Sequence, residues 1–213
     1  AADCAVMVID ASKGVEAQTR KLFKVCVMRH IPIFTFINKL DRDARDTFDL
    51  LDDIEKILGI DTCPMNLPIG SGKEFKGVYD IKGGNIITFS GTEKGTKEGK
   101  EDIISFKNKD KVIAAIGNDA YETLAEQIDL FEGAGADFDM EAVTAGLLTP
   151  VFFGSALTNF GVEIFLQNFL KMAPEPTART SDQGLIDPVA HDFSAFVFKI
   201  QANMNKAHRD RIA

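Results

Sequence analysis

The sequence predicts an α/β fold built around a mostly parallel sheet. Residues 31–41 (Ile-Pro-Ile-Phe-Thr-Phe-Ile-Asn-Lys-Leu-Asp) form an apolar run that ends in polar groups. A run rich in Ile and Phe, opened by a Pro that only a strand's first residue tolerates, reads as a strand buried on both faces, as parallel strands are. Residues 150–154 (Pro-Val-Phe-Phe-Gly) repeat the pattern and lead straight into Ser155, Ala156 and Leu157. Between the apolar runs at 4–10 and 31–41, residues 20–29 place their apolar side chains at helical spacing, so strand, helix and strand make one right-handed βαβ unit.

The chain starts without Met and already inside the apolar pattern of 4–10 (Cys-Ala-Val-Met-Val-Ile-Asp). A buried parallel strand as the opening element implies neighbours upstream, so the sequence reads as a fragment. The edge at residues 6–9 (Val6, Met7, Val8 and Ile9) is then expected to self-associate or to be covered by another segment. Residues 47–59 make an amphipathic helix that stops at Gly59, its acidic residues on a solvated face. A short strand follows at 65–70, and residues 75–89 alternate around Gly83 and Gly84 as a hairpin of 78–81 with 85–89. The mixed-charge stretch 92–111 reads as a loop with a short strand at 103–106. Helical spacing returns at 119–131 and 140–147, and residues 161–172 form an amphipathic helix closed by Pro174 and Pro176.

With 213 residues, 45% hydrophobic and 26% charged, the composition is that of a soluble globular chain with one sizeable core and a smaller appendage. There is no membrane-spanning run and no signal peptide, which argues against a membrane partner. The net charge of −8 argues against general nucleic-acid affinity, and no DNA partner is expected. Cys4, Cys26 and Cys63 are odd in number and lack Cys-x-x-Cys spacing, so neither a disulfide framework nor a zinc site is expected and a reducing cytoplasm fits. His30, His191 and His208 are too widely spaced to pair as metal ligands. His208-Arg209-Asp210 has the letters of a kinase catalytic loop, but no glycine loop or strand Lys precedes it.

Ligands of open α/β sheets sit at the carboxyl ends of the strands, which is where Asn38, Lys39 and Asp41 fall on one strand and Ser155, Ala156 and Leu157 on another. A carboxylate only accepts, and Asp41 would take both the ring N1–H and the exocyclic amine of guanine, a pattern that adenine lacks. Asn38 can donate to the purine's acceptor edge and tie neighbouring loops together. Lys39 can lay its methylene stem along the ring face with its ammonium in water. The N–H of Ala156 can donate to the exocyclic oxygen, where adenine would oppose it with a second donor. The structural alternative makes Asp41 a helix cap, and Ser155 or Thr158 the cap of the helix that follows.

Three segments then carry a resemblance: residues 8–19 (Val-Ile-Asp-Ala-Ser-Lys-Gly-Val-Glu-Ala-Gln-Thr), 36–43 (Phe-Ile-Asn-Lys-Leu-Asp-Arg-Asp) and 150–157 (Pro-Val-Phe-Phe-Gly-Ser-Ala-Leu). Together they resemble the guanine-binding half of a translational GTPase. The ending at 196–213 narrows the resemblance to the class II peptide chain release factors, in which the GTPase domain passes into a β-barrel domain. The elongation factor G family is similar through the three segments but fits this ending and residues 75–79 less well. The resemblance covers essentially the whole chain. It implies the C-terminal half of a P-loop GTPase-type sheet in three layers (α/β/α) over residues 1–66 and 146–176, an α+β insertion at 67–145, and the truncated start of a β-barrel domain at 190–213. By the same resemblance Asn38, Lys39 and Asp41 form the base-specificity motif, and Ser155, Ala156 and Leu157 the second base-contacting loop. It further implies GTP and GDP with Mg2+ as cofactors, the ribosome and class I release factors as partners, and GTP hydrolysis that promotes recycling of class I factors in termination. The basic cluster Lys199, Lys206, Arg209 and Arg211 reads as a solvated face, with ribosomal RNA contact as the alternative.

One departure matters. The family's phosphate loop, Gly-x-x-x-x-Gly-Lys-[Ser/Thr], is absent from these residues. Gly70-Ser71-Gly72-Lys73 comes nearest, but Leu67 stands at the first Gly and Glu74 at the hydroxyl position, so a structural turn is expected there. Without the phosphate loop, the switch segment and Asp-x-x-Gly, the chain is expected to hold no catalytic residue or metal ligand and to be inactive in hydrolysis. The second functional reading is a ribosome- or protein-interaction module, elongation factor G-like, that binds no nucleotide in isolation.

Overall fold

Two apolar strands form the centre of the principal sheet, β2 (Ile33–Asn38) and β8 (Leu148–Phe153), and every residue of β8 is buried. β1 (Ala5–Asp10) flanks β2 and β3 (Asp61–Pro64) flanks β8, giving the all-parallel order β1-β2-β8-β3. The computed structural model describes residues 2–90, 100–134, 138–182, 184–190, 193–195, 197–202 and 211–212. It divides into two units, Cys4–Ala173 and a second made of Ala1–Asp3 with Pro174–Ala213.

Helices cover both faces of the sheet, which is why its central strands are mostly apolar. On one face, α1 (Ala17–Met28) and α2 (Thr47–Leu58) bring Phe23, Leu50 and Ile54 against Ile9, Ile37 and Phe153. On the other, α5 (Met140–Thr144) and α6 (Val162–Met172) bring Val143 and Phe165 against Phe34, Phe36 and Phe152. This is the three-layer α/β/α arrangement. Thr35 and Thr149 are buried between the layers, and their hydroxyls meet at 2.9 Å while Thr149 donates onward to the Ile33 carbonyl at 2.8 Å. Burying them therefore leaves no orphaned polar atom. α2 begins where Asp46 accepts the N–H groups of Phe48 and Asp49, and it ends at Gly59, whose φ of 71° is the left-handed conformation of a helix stop. By contrast, α1 has no capping side chain and buries only Phe23.

A second, antiparallel sheet runs in the order β4-β5-β6-β7, from β4 (Asn66–Ile69), β5 (Gly77–Asp80), β6 (Asn85–Ser90) and β7 (Lys100–Ser105). α3 (Lys109–Ile116) and α4 (Asn118–Ala134) back it, and Leu67, Ile69, Ile86, Val112, Ile116 and Leu124 fill its own core. The hairpin expected around Gly83 and Gly84 is β5 with β6.

Two expectations are corrected here. The sequence points to one strand over 65–70, whereas the chain makes β3 at 61–64 for the parallel sheet and then β4 for the antiparallel one. Within 92–111, residues 92–99 lie outside the described residues. The remainder holds β7 and the helix α3, capped by Asn108. In the second unit β9 (Arg179–Ser181) pairs with β10 (Gly184–Ile186), and β11 (Gln201–Ala202) with β12 (Arg211–Ile212). His191, Lys206, His208, Arg209 and Asp210 lie outside the described residues.

Candidate functional site

Parallel pairing of β2 with β8 sets Ile37 opposite Phe153, so the loops that follow the two strands emerge side by side. Two backbone bonds cross the exit: Gly154 N–H donates to the Ile37 carbonyl at 3.0 Å and Leu40 N–H to the Gly154 carbonyl at 3.3 Å. Gly154 has to be glycine, because a Cβ there would sit 2.5 Å from the Phe160 carbonyl oxygen and 2.8 Å from the Phe36 ring.

Asn38 ties the loops. Its Oδ1 accepts the N–H of Lys39 at 2.8 Å and that of Ala156 at 2.9 Å. The Ala156 N–H, expected to meet a purine oxygen, is directed here to Asn38. Lys39 adopts φ 73°, a left-handed conformation that costs a side-chain-bearing residue about 1 kcal/mol or more. That turn sends Leu40 into the core, 2% exposed, and leaves Lys39 and Asp41 on the open side. Asp41 Oδ1 accepts the hydroxyl of Ser155, which is fully buried, and Asp41 Oδ2 lies 4.0 Å from Arg42 Nε. The Ser155 Oγ in turn accepts Thr158 N–H at 3.4 Å, and Ser155 pairs with Phe160 through both backbone bonds, at 2.9 and 3.0 Å. Leu157 projects from this loop, 55% exposed. Asn38, Lys39, Asp41, Ser155 and Ala156 thus come together at one edge. The helix-cap alternatives are taken by other residues, Asp46 for α2 and Gly161 for α6.

Asp10 is not singled out by the sequence. Parallel register places it opposite Asn38, and its Oδ2 receives Lys39 Nζ at 2.7 Å while its Oδ1 receives the N–H and hydroxyl of Ser12 at 2.9 and 2.7 Å. The Lys39 ammonium first, and the Ser12 hydroxyl second, hold the Asp10 carboxyl well below the usual carboxylate range. The pair pins the Lys39 stem beside the open edge. A depressed folded-state pKa gives stability that is full above the ordinary Asp pKa of about 3.9 and is lost as pH falls toward the folded value. Asp10→Asn is therefore expected to cost about 1 kcal/mol near neutral pH, Lys39 being half exposed, and the gap to wild type should close as pH drops below about 4. Urea unfolding across that range checks it, and a gap that is constant with pH would count against the ion pair.

A doubly covered parallel sheet with an Asn-Lys-x-Asp turn and a Ser-Ala loop at its strand ends is an α/β fold of the class that binds its ligands at the carboxyl ends of the strands. Residues 1–175 match the family described as elongation factor Tu GTP binding domain, and the chain belongs to it. It is 53% identical over 213 residues to peptide chain release factor 3 of Symbiobacterium thermophilum, covering 100% of this chain and 40% of that protein. It is likewise similar to peptide chain release factor 3 of Streptococcus agalactiae serotype Ia, 53% identical over 214 residues, and of Gloeobacter violaceus, 52% identical over 213, with the same coverages. The chain spans about 40% of the length of these relatives. A crystal structure of a Thermus thermophilus protein shares the fold, with a TM-score of 0.57 and 24% identity over 82% of this chain and 27% of that one. Among the described residues no helix is long and apolar enough to cross a membrane.

Proposed function

We propose that this chain is the guanine-reading portion of a translational GTPase that acts in termination, where the whole protein promotes departure of class I release factors from the ribosome. The observation that carries the reading is the Asp41 carboxylate, fixed by Ser155 and flanked by Lys39, beside a loop tied to Asn38. An acceptor-only group held at that edge suits the two N–H donors of guanine. GTP and GDP with Mg2+ are the cofactors the family implies. Asn38, Lys39, Asp41 and the loop of Ser155, Ala156 and Leu157 suit the base. No residue here is assigned to phosphates or metal, since the Gly-x-x-x-x-Gly-Lys-[Ser/Thr] string is absent from these residues. Hydrolysis is therefore not assigned to these residues alone. The antiparallel sheet with its own core supports reading 67–145 as an insertion, and the pairing of β11 with β12 supports 190–213 as the start of a barrel.

Calorimetric titration with GDP, and with ADP as control, tests the reading. Binding of GDP with ADP at least about tenfold weaker is expected, because adenine lacks the paired ring N1–H and exocyclic amine that the Asp41 carboxylate accepts. Equal affinity for both, or none for GDP, overturns it and favours an interaction module without nucleotide binding.

We further infer that the outer edge of β1 takes another strand. Among the described residues that edge is unpaired, with Val6 and Val8 41% and 56% exposed, beside a groove of ≈ 730 Å³ lined also by Leu22 and Val25. Exposed apolar edges pair. The 213-residue chain is expected to self-associate in solution, and Val8→Lys to reduce that association severalfold in sedimentation velocity. A monodisperse wild-type monomer contradicts the inference.

A further inference from the structure

Both base-facing loops are held from the same side, by the segment that forms β4 to β6. At the first point, Asn66 of β4 is fully buried and its side chain stands in for a strand residue: Oδ1 accepts Phe153 N–H at 2.7 Å and Nδ2 donates to the Phe153 carbonyl at 3.1 Å. The ladder of β3 along β8 ends with Met65 N–H on the Val151 carbonyl at 2.8 Å, and the Asn66 amide extends it one step while the backbone departs into the second sheet. At the second point, the turn Gly72–Glu74 meets the Asp41 loop, where Gly72 N–H donates to the carbonyls of Leu40 and Arg42 at 2.8 and 3.0 Å. Gly72 has φ 61°, and a Cβ there would lie 2.6 Å from Asp43 Oδ1. This is the stretch that comes nearest to a phosphate loop, and it serves as a strut. At the third point, Phe160 closes the Ser155 loop and stacks on Phe89 of β6, with ring centroids 4.3 Å apart and planes 12° from parallel, while Phe75 approaches the same ring at 5.9 Å.

Each contact ends within two residues of a base-facing group or is bonded directly to one. Leu40 and Arg42 bracket Asp41, Phe153 lies two residues before Ser155, and Phe160 shares two backbone bonds with Ser155. We propose that Asn66, Gly72 and Phe89 are positioning residues for guanine, so that the second sheet sets the affinity of a base it does not touch. The proposal rests on the reading of Asp41 and the Ser155 loop as the guanine site.

The test uses the full 213-residue chain with Phe89→Ala and, as the ring-retaining control, Phe89→Tyr. Phe89 is only partly buried, so both variants are expected to fold. Amide hydrogen exchange and GDP affinity are measured together. The expected result for Phe89→Ala is faster exchange at the Ser155 and Phe160 amides with β2 unchanged, and GDP binding about three- to tenfold weaker, the share of one stacked aromatic pair. Phe89→Tyr should match wild type in both. A purely structural role would raise exchange in β2 and β8 alike, or leave the loop amides and the GDP affinity unmoved, and either result overturns the proposal. Equal GDP and ADP affinity in the wild-type chain would remove the guanine reading instead, and the loop amides would still decide whether the second sheet holds the loop.

Discussion

Asp41→Asn is expected to weaken GDP binding by about two to three orders of magnitude and to make XDP the better ligand. Two charge-assisted hydrogen bonds are at stake, each worth roughly 1.5–3 kcal/mol, and the amide that replaces the carboxylate turns one acceptor into a donor facing guanine's own donors. Xanthine carries a carbonyl where guanine carries its amine, so the new donor finds an acceptor there. The loop should survive the change, because an Asn Oδ1 can still accept the Ser155 hydroxyl that holds Asp41 now. Competition calorimetry with GDP and XDP reads the outcome. An unchanged order of preference would remove Asp41 from the base site.

Gly154→Ala should cost about 3 kcal/mol of stability, the upper part of the range for overpacking, and lower Tm by roughly 6–12 °C. The added methyl would collide with the Phe160 carbonyl at 2.5 Å and the Phe36 ring at 2.8 Å. Neither neighbour can step aside. The carbonyl is engaged by Ser155 N–H, and Phe36 is 5% exposed with its ring 5.3 Å from that of Phe165. Because Gly154 leads into Ser155, the same strain should also weaken GDP binding. A thermal melt within about 2 °C of wild type would show that the exit between the two loops is looser than the geometry states.

What the residues made legible was local. β2 and β8 could be read because strands covered on both faces have no solvated side, so Phe34 to Ile37, interrupted only by Thr35, and Val151 to Phe153 stand out as apolar runs. α2 and α6 could be read from amphipathic period and punctuation, and the polar cluster at 38–41 from its place after a strand. What stayed hidden depends on partners distant in sequence. β3 is four residues, Asp-Thr-Cys-Pro, with no strand pattern of its own, and it is a strand only because β8 offers Leu148 to Val151 as a pairing edge. Asp10 ends an apolar run unremarkably, and only the register of β1 against β2 brings it to Lys39. The role of Asn66 is likewise invisible in a string, since an amide imitates a peptide group only when a strand end such as Phe153 lies beside it. α3 is the exception: Asn108 before Val112 and Ile116 was a readable cap and helical spacing, masked by the charged residues around it.

The sparse anchoring of α1 ranks the parts of this domain by how easily they come apart. A helix of 12 residues is marginal by itself, and this one has no acidic residue in its first turn, no basic residue in its last and a single buried side chain. Phe23 is the one buried side chain α1 itself contributes, so α1 belongs to the low end of the ladder of partial unfolding, whereas β8, buried along its whole length between two helical layers, belongs to the high end. The loops proposed to read the base hang from β2 and β8. The molecule therefore carries the proposed recognition edge on its last segment to let go, and places its open strand edge next to the first.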